Sequence, residues 1–187
     1  MKAMTVAQRM TADEYLALPE QRWTQLVDGE LVVSQARKVH QELLGDLYVL
    51  LRAWTVAGEG RGQAVLPIDV SLDDVNVYAP DVLWYRAGRD LPPSDIRPQP
   101  LPDIAAEIRS PSTWRYDVGA KKAAYERYGL PELWLVDTAA SEILVFRRSN
   151  PQASAFDVSL ELAAGDTLTS PLLLDFALPL ADLFAAR

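Results

Sequence analysis

The chain has 187 residues, 49% of them hydrophobic and 24% charged, which suits one compact domain spanning 1–187 with a sizeable core. It contains no cysteine and a single histidine, so disulfides, thiolate metal sites and multi-histidine zinc sites are excluded within one chain. The net charge of −8 argues against a general nucleic-acid coat protein.

The first elements follow from local patterns. The stretch MKAMTVAQRMTADEYLALPEQ lacks the apolar core of a secretory signal, and no apolar run approaches the ~18 residues of a membrane span. We therefore expect a cytoplasmic protein with no membrane partner. Thr11 and Glu14 form a capping-box pattern that predicts a short helix. Asp28-Gly29, between two β-prone runs, predicts a hairpin. Apolar residues at spacings of three and four then predict a long helix from about His40 to Ala57.

The second half alternates strands with a helix. QAVLPIDVSL and DVLWYRA are predicted strands around a turn, DDVNVYAP, and a proline-rich loop follows. DIAAEI is a predicted buried strand, and a helix is predicted from Tyr116 to Tyr128. This helix connects DIAAEI to the strand ELWLVD, which predicts two parallel neighbours. The order indicates an α/β fold: a mixed β-sheet flanked by helices, with an N-terminal hairpin and a long helix.

Two carboxylates on these strands are candidate metal ligands. Asp81 follows Pro80 at the start of one strand, and Glu107 lies within the apolar run of a later one. A buried carboxylate is costly unless it is paired or binds a metal. Each residue alone has an ordinary interpretation, because Asp81 can cap a turn and Glu107 can pair with an arginine such as Arg109. Together they can grip a divalent cation at one end of a sheet, with the backbone carbonyl of Ile108 as a third ligand.

An oxygen-only ligand set favours a hard cation, Mg²⁺ or Mn²⁺. Such an ion polarises a phosphoryl oxygen and lowers the pKa of bound water, which is the chemistry of phosphodiester hydrolysis. Basic residues cluster after Glu107: Arg109, Arg115, Lys121, Lys122 and Arg127. This patch can meet a phosphate backbone, or it can simply be a solvated helix face.

Three segments identify a family resemblance: TQLVDGELV, YAPDVLW and DIAAEIRSPSTWRYDVGAKKAAYERYGLPELWLVD. They resemble the Uma-two-type family of endonuclease-like proteins, which belongs to the restriction-endonuclease-like PD-(D/E)xK superfamily. The resemblance extends over nearly the whole chain. It implies a restriction-endonuclease-like core and a metal-dependent endonuclease that acts on nucleic acid, with DNA as the expected substrate.

The resemblance also accounts for an incomplete motif. The E-x-K pattern of the superfamily ends here in Arg109, but members of this family typically carry the lysine on the following helix. The matching residue is Lys121, with Asp117 four residues before it and Tyr125 four after, all on one helical face. The resemblance thus implies Asp81, Glu107 and Lys121 as catalytic residues and Tyr125 as a supporting residue. A surface ion pair between Asp117 and Lys121 is the alternative interpretation.

Other positions depart from the family or extend the site. The family usually has a glutamate where this chain has Gln25, which can coordinate through its oxygen but adds no charge. Gln25 is therefore a supporting candidate and puts tight metal binding in doubt. Arg109, Arg115 and Lys122 are candidate phosphate contacts. His40 resembles the histidine that opens the long helix of the family, where a structural hydrogen bond is its commoner role.

Two functions remain open at this stage. The first is a Mg²⁺- or Mn²⁺-dependent endonuclease, and a homodimer is one way for it to cut two strands. The second is a catalytically weak or inactive nucleic-acid-binding or regulatory module on the same fold. The complete set of Asp81, Glu107 and Lys121 favours the enzyme, whereas Gln25 and the acidic net charge favour the module.

Overall fold

Two β-sheets and a C-terminal hairpin make up the fold in a computed structural model, which describes residues 9–19, 23–93 and 95–185. The strands are β1 (Thr24–Val27), β2 (Glu30–Val33), β3 (Gln63–Val65), β4 (Val70–Asp73), β5 (Asn76–Tyr78), β6 (Val82–Tyr85), β7 (Ile104–Ile108), β8 (Glu132–Asp137), β9 (Glu142–Arg147), β10 (Val158–Ala163), β11 (Thr167–Ser170) and β12 (Leu173–Pro179). The helices are α1 (Ala12–Leu16), α2 (Lys38–Val56), α3 (Trp114–Tyr116), a π-helical turn (Asp117–Lys121), α4 (Lys122–Arg127) and α5 (Leu180–Leu183).

The larger sheet has the strand order β10-β9-β8-β7-β6-β3. Strands β7 and β8 run parallel and the other neighbouring pairs run antiparallel, so the sheet is mixed, as predicted. Every residue of β6, β7 and β8 is buried, because both faces of this part of the sheet are covered. Helix α2 and the C-terminal hairpin contribute to the core on one face, whereas Ala124 and Tyr125 of α4 belong to the core on the other.

The smaller sheet has the order β2-β1-β5-β4. The predicted hairpin is present: Val27 pairs with Glu30, and both Asp28 (φ 49°) and Gly29 (φ 76°) have the positive φ of a type I′ turn. The predicted turn DDVNVYAP is wrong over its second half, because Asn76–Tyr78 forms β5 and pairs with both β1 and β4. The three residues of β5 are buried, and this burial outweighs the turn signal of the preceding aspartates.

Helical segments α3, the π-helical turn and α4 run without a break from Trp114 to Arg127 and connect β7 to β8. This is the predicted crossover helix, and it ends before Gly129, whose φ of 84° suits glycine. The π-helical turn was not predicted, since no propensity distinguishes its residues from those of an α-helix. The long helix α2 begins at Lys38, two residues before the predicted start. Within the described residues, no helix has the length and apolar character needed to cross a bilayer.

Candidate active site

Asp81 and Glu107 lie where two neighbouring strands of the larger sheet, β6 and β7, begin and end. Strands β6 and β7 are antiparallel and pair Val82 with Ala106, and one step further this register places Asp81 opposite Glu107. Both residues line a cavity of about 600 Å³, to which both sheets, His40 of α2 and Asp117 of the crossover helix also contribute. The sequence prediction placed them on neighbouring strands, and the structure brings them to a common cavity.

Asp81 is held through one of its two oxygens. The backbone N–H of Ile108 donates to Asp81 Oδ2 at 2.7 Å, and His40 Nε2 lies 3.2 Å from the same oxygen. A carboxylate only accepts, so His40 carries its proton on Nε2 and donates it. Burial would lower the pKa of His40, but its hydrogen bond to Asp81 and the charge of Asp81 raise it above the ordinary value. These contacts fix the carboxylate and leave its Oδ1 for another partner.

Glu107 is held in the same way. The hydroxyl of Tyr125 donates to Glu107 Oε1 at 2.6 Å, and Lys121 Nζ lies 2.7 Å from the same oxygen. Burial raises the pKa of the Glu107 carboxyl to about 8, the charges of Asp117 and Asp81 add to the rise, and Lys121 opposes it. Both contacts involve Oε1, so Oε2 takes part in neither. The raised pKa of Glu107 indicates a site in which additional positive charge is favourable.

Lys121 lies beside Glu107, although it comes from the crossover helix and not from β7. Its ammonium contacts Glu107 and, at 2.9 Å, Asp117, and only 1% of the residue is exposed. Burial would lower the pKa of Lys121, but the charges of Asp117 and Glu107 outweigh it and raise that pKa above the ordinary value. Lys121 is therefore a fixed cation beside Glu107. The surface ion pair considered as an alternative does not describe it, since Asp117 is also buried.

The donor set fits a hard divalent cation. Within residues 9–19, 23–93 and 95–185, no group of three histidine, aspartate or glutamate side chains is arranged to hold a metal. The chain instead offers the carboxylates of Asp81 and Glu107. Ile108, whose backbone carbonyl is the predicted third ligand, also lines the cavity. Mg²⁺ commonly binds through one or two carboxylates and keeps several waters, so this ligand set matches its habit.

The remaining predicted residues divide into two groups. Gln25 lines the cavity, and its Oε1 accepts from the N–H of Ala79 at 3.1 Å, which ties β1 to the segment that leads into Asp81. Arg109 instead binds Asp137, with Nη1 at 2.8 and 2.7 Å from the two carboxylate oxygens. It therefore neutralises Asp137 and not Glu107.

Arg115 and Lys122 do not line the cavity. Arg115 Nη2 donates to the hydroxyl of Tyr116 at 2.8 Å, and the ammonium of Lys122 lies 4.3 Å from the centre of the Phe146 ring. As predicted for a residue next to Lys121 on a helix, Lys122 projects in a different direction. Both lie on the crossover helix outside the cavity, where Arg115 is exposed and Lys122 is partly buried.

Sequence reasoning missed two groups as site residues. Asp117 and Thr113 line the cavity, and the Thr113 hydroxyl lies 3.4 Å from Asp117 Oδ2. His40, treated above all as a structural residue, contacts a predicted metal ligand directly. The signals were present in the D-x-x-x-K spacing and in the histidine at the start of the long helix. Neither reveals which strand its side chain faces.

The family model of Uma2, described as "Putative restriction endonuclease", matches residues 12–181. The chain belongs to the Uma2 family. A solved structure described as a "putative nuclease belonging to DUF820 from Anabaena variabilis" superposes on this Uma2 protein with a TM-score of 0.76. The two share 19% identity over 94% of this chain and 97% of the other, which shows a common restriction-endonuclease-like fold. No curated protein matches the chain. Family membership supports a nuclease function for this Uma2 protein and confirms the predicted resemblance.

Proposed function

We propose that this Uma2 protein is an endonuclease that requires Mg²⁺ or Mn²⁺ and hydrolyses phosphodiester bonds of DNA. One observation carries the proposal: Lys121, from the crossover helix, lies 2.7 Å from Glu107, and the register of β6 and β7 places Asp81 opposite Glu107. Asp81 and Glu107 thus share a cavity, and a buried lysine contacts Glu107, although the residue that follows the strand is an arginine.

Each side chain has a role in this proposal. Asp81, Glu107 and the Ile108 carbonyl would hold the ion, which would polarise a phosphoryl oxygen and make hydroxide available near neutral pH. His40 and Tyr125 orient the two carboxylates by hydrogen bonds to Asp81 and Glu107.

Lys121 holds a permanent positive charge where the phosphate develops negative charge. Asp117 keeps that ammonium in place through its own ion pair. The lysine needs no rearrangement during the reaction, because its position is fixed by two buried carboxylates.

The test is cleavage of supercoiled plasmid and of labelled oligonucleotides by purified protein with Mg²⁺, with Mn²⁺ and with a chelator. We expect cleavage with either metal, loss of cleavage in the chelator, and loss in Asp81→Ala and Glu107→Ala. Arg115→Ala, an exposed change outside the cavity, is the matched preparation control and should retain turnover while binding DNA more weakly. Cleavage that survives Glu107→Ala would contradict the proposal.

A non-catalytic nucleic-acid-binding module is the second candidate, and Gln25 is the observation that favours it. Its amide oxygen already accepts from Ala79 and supplies no negative charge to the cavity. If the wild-type protein cleaves nothing but still binds oligonucleotides, and Gln25→Glu restores cleavage, then the natural chain is such a module.

A further inference from the structure

The cavity is larger than a metal site requires. An octahedral Mg²⁺ with its oxygen ligands fills a sphere of roughly 3.5 Å radius, about 180 Å³, whereas the cavity measures about 600 Å³. The volume lies within the range of pockets that hold an organic ligand, about 300–1,000 Å³. Most of the space is therefore left for a part of the substrate other than the reacting phosphate.

Part of the remaining cavity lining is apolar and suits an uncharged planar group. Trp23, Pro67, Ile68 and Ile96 contribute to it, and Trp23 and Ile96 remain 45% and 49% exposed. A large aromatic side chain that is half exposed inside a cavity offers a face for stacking.

The described charges of this lining disfavour a second phosphate. Among the residues that the structure describes, Asp69 and Asp95 both lie there, and the one arginine of the lining, Arg97, forms an ion pair with Asp69. A phosphate would thus meet net negative charge, whereas a nucleobase carries none. Acidic residues beside an aromatic side chain favour the base of a nucleotide over its phosphate.

The backbone at Trp23 gives an independent indication. Trp23 has a φ of 67°, a conformation that bulky side chains rarely adopt. Its carbonyl accepts from the N–H of Ser34 at 2.7 Å, which holds the residue at the end of the hairpin. Strain of this kind is commonly retained where a side chain has a binding role. Glycine would relieve it, so stability does not explain a tryptophan here.

Two acidic residues of the lining lie deep in the cavity. Glu107 is 2% exposed and Asp117 3%, so a phosphate must enter the cavity to reach them. A base-paired, stacked duplex cannot follow its phosphate into such a space, whereas an unpaired or extruded nucleotide can.

We propose that the cavity binds one unpaired nucleotide next to the scissile phosphate, with its base stacked on Trp23, so that the enzyme acts on single-stranded or locally unpaired nucleic acid. This inference rests on the proposed nuclease function for the position of the scissile phosphate, but binding of the base can be tested without catalysis. The occupant is an unpaired nucleotide of any base, since stacking needs only an aromatic face.

The test uses a Glu107→Gln background, in which oligonucleotides remain intact and the cavity is less acidic. Fluorescence anisotropy measures binding of a labelled single strand, of the matching duplex and of that duplex with one bulged nucleotide. We expect the single strand and the bulged duplex to bind at least ten-fold more tightly than the perfect duplex. Trp23→Gly should remove roughly ten-fold of that preference, while thermal stability stays equal or rises because strain is relieved.

Three further variants separate binding from folding. Trp23→Phe should retain most of the preference, Ile96→Glu should weaken it by placing a carboxylate beside the base, and Leu174→Ala should change nothing. Leu174 is a suitable control because it is 76% exposed and does not line the cavity. Equal binding of duplex and single strand, or a Trp23→Gly protein that binds like Leu174→Ala, would overturn the base site.

Cleavage by the wild-type protein with Mn²⁺ distinguishes the two proposals. Cleavage of perfect duplex and bulged duplex at the same rate would leave the nuclease standing and overturn the base site. Selective binding of unpaired strands without any cleavage would support the base site and overturn the nuclease.

Discussion

At the scale of single residues, each of the two carboxylates of the site uses one of its oxygens for its contacts with neighbouring groups. Glu107 Oε1 receives both Tyr125 and Lys121, and Asp81 Oδ2 receives both His40 and the Ile108 N–H. The opposite oxygens of the two carboxylates stay outside these contacts. The two carboxylates can therefore bind a cation through these opposite oxygens without first losing a hydrogen bond or an ion pair.

Lys121→Ala should lower the turnover of DNA cleavage about 10²-fold or more, because a fixed charge acts most strongly on the transition state. Affinity should change less. Lys122→Ala, its neighbour, should instead weaken DNA binding and reduce its salt dependence. Single-turnover cleavage together with anisotropy at several salt concentrations measures both effects. Full turnover in Lys121→Ala would mean that Lys121 has no part in the reaction and that the charge is supplied from elsewhere, with Arg109 the first residue to test.

His40→Ala should weaken metal binding by about 10–100-fold, the usual cost of losing a residue that orients a metal ligand. His40→Gln, which can still donate a hydrogen bond, should recover part of the loss. Titration calorimetry with Mn²⁺ measures the affinity, and Val49→Ala is a control on the same helix because Val49 is 61% exposed. An unchanged Mn²⁺ affinity in His40→Ala would show that Asp81 needs no orientation from the helix.

At the scale of elements, a close backbone contact fixes strand β3 against β6. Gly62 precedes β3, whose first residue pairs with Tyr85 of β6. A Cβ on Gly62 would lie 2.1 Å from the Tyr85 carbonyl oxygen, and its φ is +70°. A Cβ on Gly60, with φ +71°, would meet nothing within 4 Å.

This pair of glycines gives a matched test of strand packing. Gly60→Ala should cost about 1 kcal/mol of unfolding free energy from its positive φ alone. Gly62→Ala should cost about 2 kcal/mol more, since it also forces two strands apart. Urea denaturation measures both. Similar losses in the two variants would show that β3 can shift away from β6 at little cost.

The elements also show where sequence reasoning succeeds. The hairpin at Asp28-Gly29 and the parallel pair β7–β8 were predictable because a turn dipeptide and a crossover helix are local signals. Lys121 was placed beside Glu107 through the family resemblance and the spacing Asp117, Lys121, Tyr125. Strand β5 was not predictable, because its three residues owe their structure to neighbours on β1 and β4.

Pairings between distant residues are the other part that sequence does not reveal. Arg109 does not pair with Glu107, the acidic residue near it in the sequence. Its ion pair with Asp137 depends on the parallel register of β7 and β8. The contact of His40 with Asp81 likewise depends on how α2 packs against the sheet edge. The same charge patterns are compatible with several partners until the strand order is known.

At the scale of the whole molecule, we propose that residues 1–187 form a single folding unit. The core that contains α2 also includes residues of the larger sheet, the C-terminal hairpin and α5. Calorimetry should therefore show one unfolding transition whose calorimetric and van't Hoff enthalpies agree. Two resolved transitions would contradict a single domain.

Divalent metal should stabilise the fold, because it binds only where Asp81 and Glu107 converge in the native state. At a metal concentration 100-fold above Kd the gain is about 2.7 kcal/mol, a rise in Tm of roughly 5–11 °C for a domain of this size. Thermal melts with Mn²⁺, Mg²⁺ and chelator measure it. An absent shift would favour the non-catalytic module, and Gln25→Glu should then restore the shift.

The most direct test of the central claim is an anomalous-scattering map from a crystal of the protein soaked in Mn²⁺. We expect a peak between the carboxylates of Asp81 and Glu107, with ligands that are all oxygen, including the Ile108 carbonyl. Lys121 should remain beside Glu107, and the peak should be lost in Glu107→Ala. A cavity without a peak, or Mn²⁺ bound only at other carboxylates of the protein, would contradict the claim that these residues form a metal-dependent active site.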